Sequence, residues 1–368
     1  MLRRIYIHEH LNWPKFRWDH EKLAGPLAAV RFRQGLLMGR MQALGFSLRE
    51  EAMLQTLTQD VLKSSEIEGE MLNPGQVRSS IARRLGIDIG GTVPSDRNVE
   101  GVVEMMLDAT QNYDKPLSAE RLFAWHAALF PTGGSGIYKI TVGTWRTGPM
   151  QVVSGAMGKE RVHFEAPEAE LLNQEMDRFL AWFNAGRETD PVIAAAVAHL
   201  WFVTIHPFDD GNGRIARAIA DMLLAHADGS SQRFYSMSAQ IRKERNAYYD
   251  ILEKTQKGDL DITEWLQWFL NCLNGAITTT DEILAGVLRK ARFWEKHSRS
   301  HFNDRQHSML NKLLDGIDGK LTSSKWAKMA KCSQDTASRD IQDLINRGIM
   351  VKEEAGGRST SYKLKIDD

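Results

Sequence analysis

A short polar stretch between two long apolar runs constrains this chain more than any other feature. The apolar runs cover residues 192–205 and 215–225, and each has the length of a buried helix. Between them lies His-Pro-Phe-Asp-Asp-Gly-Asn-Gly-Arg, which begins at His206. Polar residues and glycines at such a junction are typical of a site for a small charged molecule, and a tight structural turn with a buried histidine is the alternative. The sequence therefore predicts a mainly α protein with its functional site at this junction.

The first residues of this stretch predict an anion site with a proton acceptor beside it. His206 is the natural general base, because the unperturbed pKa of histidine lies near neutral pH. Gly211, Asn212 and Gly213 open the second helix, where unpaired backbone N–H groups and the helix dipole favour an anion. Glycine lets the bound anion approach this backbone closely, since it carries no Cβ.

Two arginines and a carboxylate extend the predicted site. Arg214 and Arg217 are three residues apart and share a helix face, so both guanidinium groups can reach one anion. Asp210 lies where phosphate would repel it unless a divalent cation joined them, and magnesium is the usual cation. Asp209 is predicted to be less constrained and to face solvent. The chain has no GxxxxGK[ST] sequence, so this is not a Walker loop.

Residues 206–217 match the HPFx[D/E]GNGRxxR signature at every defining position, and the chain thereby resembles the Fic-domain proteins. The resemblance implies a mostly helical core that transfers AMP from ATP to a hydroxyl group of a target. It implies that His206 deprotonates this hydroxyl and that Asp210 holds Mg²⁺. Gly213 stands where relatives that transfer a phosphoryl group carry lysine, which favours nucleotidyl transfer. The resemblance further implies that phosphates are bound by Asn212 with its neighbouring backbone, by Arg214 and by Arg217.

A second carboxylate site lies upstream, at the end of a predicted helix over residues 47–68. Taken alone, its glutamates are charged groups of a solvated helix end. Beside the Fic signature, Ser64-x-x-x-Glu68-Gly69 resembles the [S/T]xxxE[G/N] inhibitory motif. That resemblance implies that Glu68 pairs with Arg217 and blocks the γ-phosphate position, because a carboxylate and a phosphate cannot share one guanidinium group. The same glutamate positions water for AMP removal in bifunctional relatives, so de-AMPylation stays open.

Residues 141–167 predict a β-hairpin, with strands at 150–153 and 161–164 around a turn at 155–158. By itself this is a peripheral hairpin, whereas the Fic resemblance implies a flap that clamps a target segment by main-chain pairing. The glycine-rich run 133–136 before it is predicted to be a flexible loop.

Helical spacing in residues 236–252 predicts a helix that packs against the core. One tyrosine of the pair Tyr248-Tyr249 is a candidate for contact with the nucleobase. The spacing does not choose between them, and Tyr249 is taken as the site candidate.

Composition limits the function classes. The 368 residues allow two or three domains, and a formal net charge of zero argues against electrostatic binding of nucleic acid or membrane by the whole molecule. Two cysteines, Cys272 and Cys332, provide neither a disulfide framework nor a zinc cluster. The most apolar run falls short of the roughly 18 residues that span a bilayer, so a cytoplasmic protein without a membrane partner is expected.

Three domains are predicted. Residues 1–90 resemble the helical extension that precedes some bacterial Fic domains and contain the inhibitory helix; their early aromatics, among them Trp13 and Phe16, are expected to anchor this segment. Residues 95–297 are expected to form the Fic core, and the polar stretch 298–301 marks a boundary. The third domain covers residues 301–368.

The last domain resembles a winged helix-turn-helix, with three predicted helices and a two-stranded wing around residues 353–361. Ser333 is placed to cap the third helix, whose exposed start would carry Thr336, Ser338 and Arg339, where a recognition helix reads bases. Residues 301–368 hold 12 Lys and Arg against 10 Asp and Glu, so 12 − 10 gives only +2. Asp335, Asp340 and Asp343 on the third helix also count against DNA, and a protein-interaction role stays open.

The leading hypothesis is a Fic-type protein adenylyltransferase that depends on ATP and magnesium and is autoinhibited by Glu68. AMPylation would modify a Ser, Thr or Tyr hydroxyl of a protein, the chain itself included. The alternatives are a de-AMPylase or bifunctional Fic enzyme, and a DNA-binding regulator whose Fic core senses a nucleotide. A homodimer is left open by the sequence.

Overall fold

A computed structural model of the chain is mainly helical with small antiparallel hairpins, as the sequence predicts. It describes residues 5–136, 138–155, 161–185, 189–317, 319–353 and 360–365, the side chains of 281–283 excepted. The α-helices are α1 His20–Gln42, α2 Phe46–Ile67, α3 Pro74–Leu85, α4 Arg97–Gln111, α5 Ala119–Leu129, α6 Leu172–Asn184, α7 Pro191–Ile205, α8 Asn212–Asp228, α9 Met237–Lys243, α10 Arg245–Gln256, α11 Thr263–Lys296, α12 Asp304–Asp315, α13 Ser323–Ala330 and α14 Gln334–Asn346. The strands are β1 Gly134–Ser135, β2 Tyr138–Lys139, β3 Gln151–Ser154, β4 Arg161–Glu165, β5 Met350–Lys352 and β6 Tyr362–Leu364, paired as β1–β2, β3–β4 and β5–β6.

The chain divides into two compact units, residues 1–281 and 282–368. The division falls inside α11, earlier than the boundary predicted at 298–301. The reason is that the last turns of α11 supply Phe293 to the apolar core of the second unit. Sequence spacing shows one uninterrupted helix here and cannot tell which unit each of its turns joins.

The predicted extension, residues 1–90, and most of the predicted Fic core lie in one unit rather than in two. Its early aromatics pack as expected, because the rings of Trp13 and Phe16 contact Trp201 of α7 with centroids 6.1 and 5.8 Å apart. The Trp13 indole N–H also donates a 2.8 Å hydrogen bond to Glu175. The extension is therefore part of the body that holds the site.

Helices α7 and α8 form the centre of the first unit. Every residue of α7 from Val192 to Ile205 is buried, and a helix that is apolar on all sides is typical of a core. Asp190 caps its start by accepting a hydrogen bond from the Val192 N–H at 2.8 Å. The two buried helices predicted from the sequence are thus confirmed, and the polar stretch joins them.

A close approach of α4 and α5 depends on Gly101. A Cβ at this position would lie 1.7 Å from the carbonyl oxygen of Ala128 on α5. We expect Gly101→Ala to lower the free energy of unfolding by about 1–3 kcal/mol, because the backbone of Ala128 cannot turn aside as a side chain can. Urea denaturation followed by circular dichroism measures this change.

Gly39→Ala is the matched control, since Gly39 is an exposed position of α1 where a Cβ would meet nothing within 4 Å. We expect it to stabilise the chain by about 0.5–1 kcal/mol, the ordinary gain from alanine inside a helix. Equal unfolding midpoints for the two variants would show that the α4–α5 contact does not limit stability.

The β3–β4 hairpin confirms the strands predicted in residues 150–164, with Gln151 opposite Glu165. Of the predicted turn at 155–158, only Gly155 lies within the described residues. The run 133–136, predicted as a loop, instead contributes β1 to a small hairpin with β2. The helix predicted over 236–252 is two helices, because the chain turns at Glu244 between α9 and α10.

The second unit contains the end of α11, the helices α12, α13 and α14, and the β5–β6 hairpin, with Trp326, Leu344 and Met350 in its core. Ser333 caps α14 as predicted, with its hydroxyl accepting from the Thr336 N–H at 3.2 Å. Residues 354–359 of the predicted wing turn lie outside the described residues. Within the described part of the chain, no helix is both long and apolar enough to cross a bilayer.

Candidate active site

His206 lies at the C-terminal end of α7 in a left-handed backbone conformation, with φ 51° and ψ 59°. Its backbone N–H donates to the carbonyl of Phe202 at 2.9 Å. Its ring Nδ1 lies 3.1 Å from the carbonyl oxygen of Val203. A carbonyl only accepts, so Nδ1 carries the proton in the neutral ring and Nε2 is left as the proton acceptor.

The surroundings keep the His206 ring neutral. Burial lowers the pKa of His206 below its ordinary value of 6.5, because the charged imidazolium is poorly solvated there. The Val203 hydrogen bond raises the pKa in part, and the charge of Arg146 lowers it. Glu68 and Asp210 raise it through their negative charges. A neutral imidazole near pH 7 is the form required of a general base.

The loop between α7 and α8 is shaped by Asn212. Its side-chain oxygen accepts from the Phe208 N–H at 3.0 Å, and its amide donates to the Phe208 carbonyl at 2.8 Å. Asn212 is only 2% exposed, and the Phe208 ring stacks on His126 at 4.2 Å. The Asn212 side chain thus fixes the loop, and the phosphate contact that the Fic resemblance implies for Asn212 and its neighbouring backbone stays a prediction.

Helix α8 begins after Gly211, which has φ 81°, and no described side chain caps it. The first N–H groups of α8 therefore meet the requirements of an anion site. A Cβ on Gly213 would lie 2.2 Å from a carboxylate oxygen of Glu68. Glycine at this position thus allows the Glu68 carboxylate to lie against the start of α8.

Asp210 lies beside this helix start. One of its carboxylate oxygens accepts from the Gly211 N–H at 2.6 Å, and the other accepts from the hydroxyl of Ser135 on β1. The described residues contain no group of three His, Cys, Asp or Glu side chains able to enclose a metal ion. A single carboxylate next to an anion site fits a Mg²⁺ ion that phosphates and water hold for the most part.

Asp209, predicted to be less constrained and to face solvent, is only partly exposed. Asp209 is half-buried and accepts a 2.8 Å hydrogen bond from the backbone N–H of Thr141. It therefore ties the segment after β2 to the polar stretch.

Arg217 is buried and is held by the inhibitory motif predicted from the sequence. Its Nε donates to the Ser64 hydroxyl at 2.9 Å, and its Nη2 donates to the Ser64 carbonyl at 2.9 Å and to Glu68 at 2.8 Å. Among the described residues, Nη1 of Arg217 has no hydrogen-bond partner. A carboxylate thus occupies one side of a guanidinium group that has capacity left for an anion.

Arg214 is paired with a carboxylate that the sequence analysis did not select. Its Nη1 donates to Glu70 at 2.7 Å, and its guanidinium lies 5.1 Å from the ring centre of Phe130. Helix α2 ends at Ile67, and Gly69 with φ 87° turns the chain so that Glu70 reaches Arg214. Both arginines of the polar stretch are therefore bound by carboxylates of one short turn.

Helices α9 and α10 hold the end of α2 in place. Arg245 donates through Nε to the carbonyl of Ile67 at 3.1 Å, and Arg242 donates to Glu66 at 3.0 Å. The carboxylate of Asp60 accepts from the Ser236 hydroxyl inside the unit. The carboxylates of the following turn are thus presented by a helix fixed on its far side.

The two candidate tyrosines differ in accessibility. Tyr248 is buried, and its hydroxyl lies 2.8 Å from Nε2 of His199. Tyr249 is 37% exposed and lies under the guanidinium of Arg245, 5.2 Å from the ring centre. Of the pair, Tyr249 is the exposed one, and its contact with a nucleobase stays a prediction.

The β3–β4 hairpin is attached to the site at its base and along its strands. At the base, Arg146 donates to the carbonyl of His206 at 2.8 Å. Along the strands, Glu253 of α10 accepts from His163 at 2.5 Å and from Arg161 at 2.8 Å. Burial raises the pKa of Glu253, but hydrogen bonds from Lys257 and His163 outweigh it and hold the pKa at about 2. Arg146 was not a predicted site residue, because a single arginine before a hairpin carries no motif.

Two parts of the chain match known protein families. Residues 116–224 match the Fic/DOC family, and residues 6–87 match a domain of unknown function, DUF4172. The protein adenylyltransferase Fic of Culex quinquefasciatus is 28% identical over 265 residues, which are 70% of this chain and 46% of the relative. That of Aedes aegypti is 27% identical over 217 residues, 57% of this chain and 39% of the relative. The chain thus spans less than half the length of these curated relatives.

Two solved structures share the fold. A Fic family protein from Desulfovibrio desulfuricans G20 aligns with a TM-score of 0.53 at 20% identity, over 94% of this chain and 97% of the other. A Fic domain containing signaling protein from Bacteroides thetaiotaomicron VPI-5482 aligns with a TM-score of 0.51 at 21% identity, over 72% of this chain and 97% of the other. These alignments support the fold and carry no information about substrate.

Proposed function

We propose that this chain, which carries a Fic domain, is a protein adenylyltransferase that transfers AMP from ATP to a Ser, Thr or Tyr hydroxyl of a protein. The observation that carries the proposal is the polar stretch itself, where Nε2 of His206 has no hydrogen-bond partner among the described residues and α8 begins six residues later without a side-chain cap. The curated relatives that match this chain are named adenylyltransferases. This chain covers less than half of each of these relatives, so their activity is assigned to it here as our inference.

In this proposal His206 accepts the proton of the target hydroxyl through Nε2. The hydroxyl oxygen then bonds to the α-phosphorus of ATP, and the bond from that phosphorus to pyrophosphate breaks. Arg214 and Arg217 would bind the β and γ phosphates together with the first N–H groups of α8. Asp210 would hold a Mg²⁺ ion, which when bound offsets the charge of the phosphates.

Autoinhibition by Glu68 is part of the proposal. The Glu68 carboxylate lies 2.8 Å from Arg217, and Glu70 lies 2.7 Å from Arg214, so both guanidinium groups are engaged before ATP arrives. Phosphate groups would have to displace these carboxylates to use the same donors. Gly213 supports this assignment, since any larger residue there would collide with Glu68.

Intact mass spectrometry tests donor and reaction together. Glu68→Gly incubated with ATP, magnesium and a hydroxyl-bearing target is expected to yield target, or chain, heavier by one AMP. A gain of one phosphate would instead identify phosphoryl transfer and overturn the proposal. Incubating the modified product with the wild-type chain tests the alternative, a de-AMPylase that uses Glu68 to position water; loss of AMP would establish it.

DNA binding by the second unit is a second candidate, favoured by one observation. Two of the three aspartates that counted against it are engaged within the unit. Asp340 is buried and accepts from Arg305 at 2.9 Å. Asp343 accepts from Gln306 at 2.8 Å and from Arg347 at 3.2 Å. If α14 is a recognition helix, the charge of the buried Asp340 would not face the phosphates, whereas Asp343 is half-exposed and its charge is offset only in part by Arg347.

The exposed residues of α14 include Gln334, Ser338, Arg339 and Gln342, with Asp335 near its start. We expect the full chain to shift duplex DNA in a gel at low salt, with Arg339→Glu weakening binding by roughly tenfold because phosphate contacts dominate such affinity. Asp335→Asn is the opposite control and should strengthen it. Equal binding by both variants, or none at low salt, would remove this candidate.

A further inference from the structure

Arg146 joins the polar stretch to the base of the β3–β4 hairpin. It is 2% exposed, and its backbone N–H donates to the carbonyl of Pro207 at 2.9 Å. Its side-chain Nε donates to the carbonyl of His206 at 2.8 Å. Its two terminal nitrogens donate to the carbonyls of Gly148 at 2.6 Å and Pro167 at 2.5 Å. One guanidinium group therefore holds three backbone carbonyls from three parts of the chain.

Two of these carbonyls flank the hairpin. Gly148 precedes β3 and Pro167 follows β4, and just inside them the Ala166 N–H donates to the Met150 carbonyl at 3.0 Å. The guanidinium group of Arg146 therefore hydrogen-bonds to the chain on both sides of the hairpin. A planar fork with five N–H donors can hold these acceptors at fixed angles, whereas a lysine ammonium cannot.

The third carbonyl belongs to His206, whose backbone conformation is unfavourable for a residue other than glycine. A non-glycine residue with φ 51° is in a sparsely populated conformation and persists where neighbours hold it. The His206 N–H is bound by Phe202 and its carbonyl by Arg146. Arg146 therefore contributes directly to the orientation in which the imidazole is presented.

We propose that Arg146 is a positioning residue that sets the imidazole of His206 relative to the β3–β4 hairpin, on which the Fic resemblance would place the target; the activity part of this inference rests on the proposed function. The same contacts give Arg146 two separable effects. Its fork fixes geometry, and its charge disfavours the protonated ring.

The electrostatic effect has a sign that can be measured. Among the described residues, the charged groups with the largest effect on the His206 ring are Arg146, Glu68 and Asp210. The charge of Arg146 lowers the pKa of His206, and the charges of Glu68 and Asp210 raise it. Removing Arg146 should therefore raise the pKa of His206, and removing the charge of Glu68 should lower it.

NMR titration of the histidine rings in the full chain tests this without any activity. The His206 signal is assigned by its loss in His206→Ala. We expect Arg146→Met to raise the pKa of His206, Glu68→Gln to lower it, and Glu253→Gln, which loosens the hairpin only at α10, to leave it unchanged. An unchanged pKa in folded Arg146→Met would overturn the inference, as would a similar shift in Glu253→Gln.

Initial rates of AMP transfer, measured in the Glu68→Gly background, test the geometric effect. Arg146→Lys keeps the charge but loses the fork, so we expect kcat to fall by roughly tenfold with little change in the acidic limb of the pH–rate profile. In Arg146→Met that limb should also move to higher pH. An unchanged kcat in Arg146→Lys would overturn the inference. This outcome decides the test even if Arg146→Met does not fold. An inactive Glu68→Gly parent would count against the proposed function alone, since the titration still tests Arg146.

Discussion

Replacing His206 by alanine is expected to lower the rate of AMP transfer by on the order of 100- to 10,000-fold, the contribution usual for a general base. The reason is that Nε2 of His206 is the acceptor left after Nδ1 donates to the carbonyl of Val203. Transfer of label from α-labelled ATP, measured on the Glu68→Gly chain with and without His206→Ala, gives this ratio.

His301→Ala is a matched control, because His301 is exposed and lies in the second unit. It should leave the transfer rate unchanged. An unchanged rate of transfer in His206→Ala would contradict the assigned role of His206. Loss of transfer in both variants would show that the effect is not specific to His206.

The pH dependence of the same reaction follows from the lowered pKa of His206. Burial shifts the pKa of this ring below its ordinary value of 6.5, so less than half of the His206 rings are protonated at pH 6.5. The rate should therefore fall only at a lower pH, as the ring becomes protonated. A rate that already declines above pH 6.5 would contradict this reading of the site.

Glu68→Gly is expected to raise the rate of AMP transfer by roughly 10- to 100-fold. A hydrogen bond to a charged group contributes about 1.5–3 kcal/mol, and each 1.4 kcal/mol corresponds to about tenfold in an equilibrium. The Glu68–Arg217 contact at 2.8 Å is of this kind, and ATP must replace it to reach the guanidinium. Comparison of initial transfer rates for wild type and variant at equal ATP measures the gain.

Glu70→Gln is the control for this comparison, since it removes the charge next to Arg214 and leaves Arg217 engaged. The Glu70 side chain is 33% exposed while that of Arg214 is 7% exposed, so solvent screens this pair in part. We therefore expect a smaller increase than for Glu68→Gly. Equal rates for wild type and Glu68→Gly would show that the Glu68 carboxylate does not limit the rate of AMP transfer.

The sequence carries much of this site because the polar stretch is local. The start of α8 at Asn212, the glycine before it and the shared face of Arg214 and Arg217 all follow from helix geometry. The contact between Glu68 and Arg217 was expected through the family resemblance, and the two groups lie 2.8 Å apart.

What the sequence did not predict depends on tertiary contacts. Arg146 lies 60 positions from His206 and belongs to no motif, so only folding brings them together. The side chain of Asn212 hydrogen-bonds to the backbone of Phe208, a contact that the signature does not reveal. Glu70 reaches Arg214 only because the chain reverses at Gly69, and the spacing of carboxylates does not reveal that reversal.

The left-handed Gly69 between Glu68 and Glu70 has a consequence for how the proposed site would respond to ATP. Both carboxylates belong to one three-residue turn, and the helix before it is fastened to α9 and α10. A small rearrangement of that turn, with α2 left in place, would release both guanidinium groups together. Both arginines would then become available in one step. A nucleotide with fewer phosphates, which could pair with only one of them, would still be repelled by the negative charges of Glu68 and Glu70.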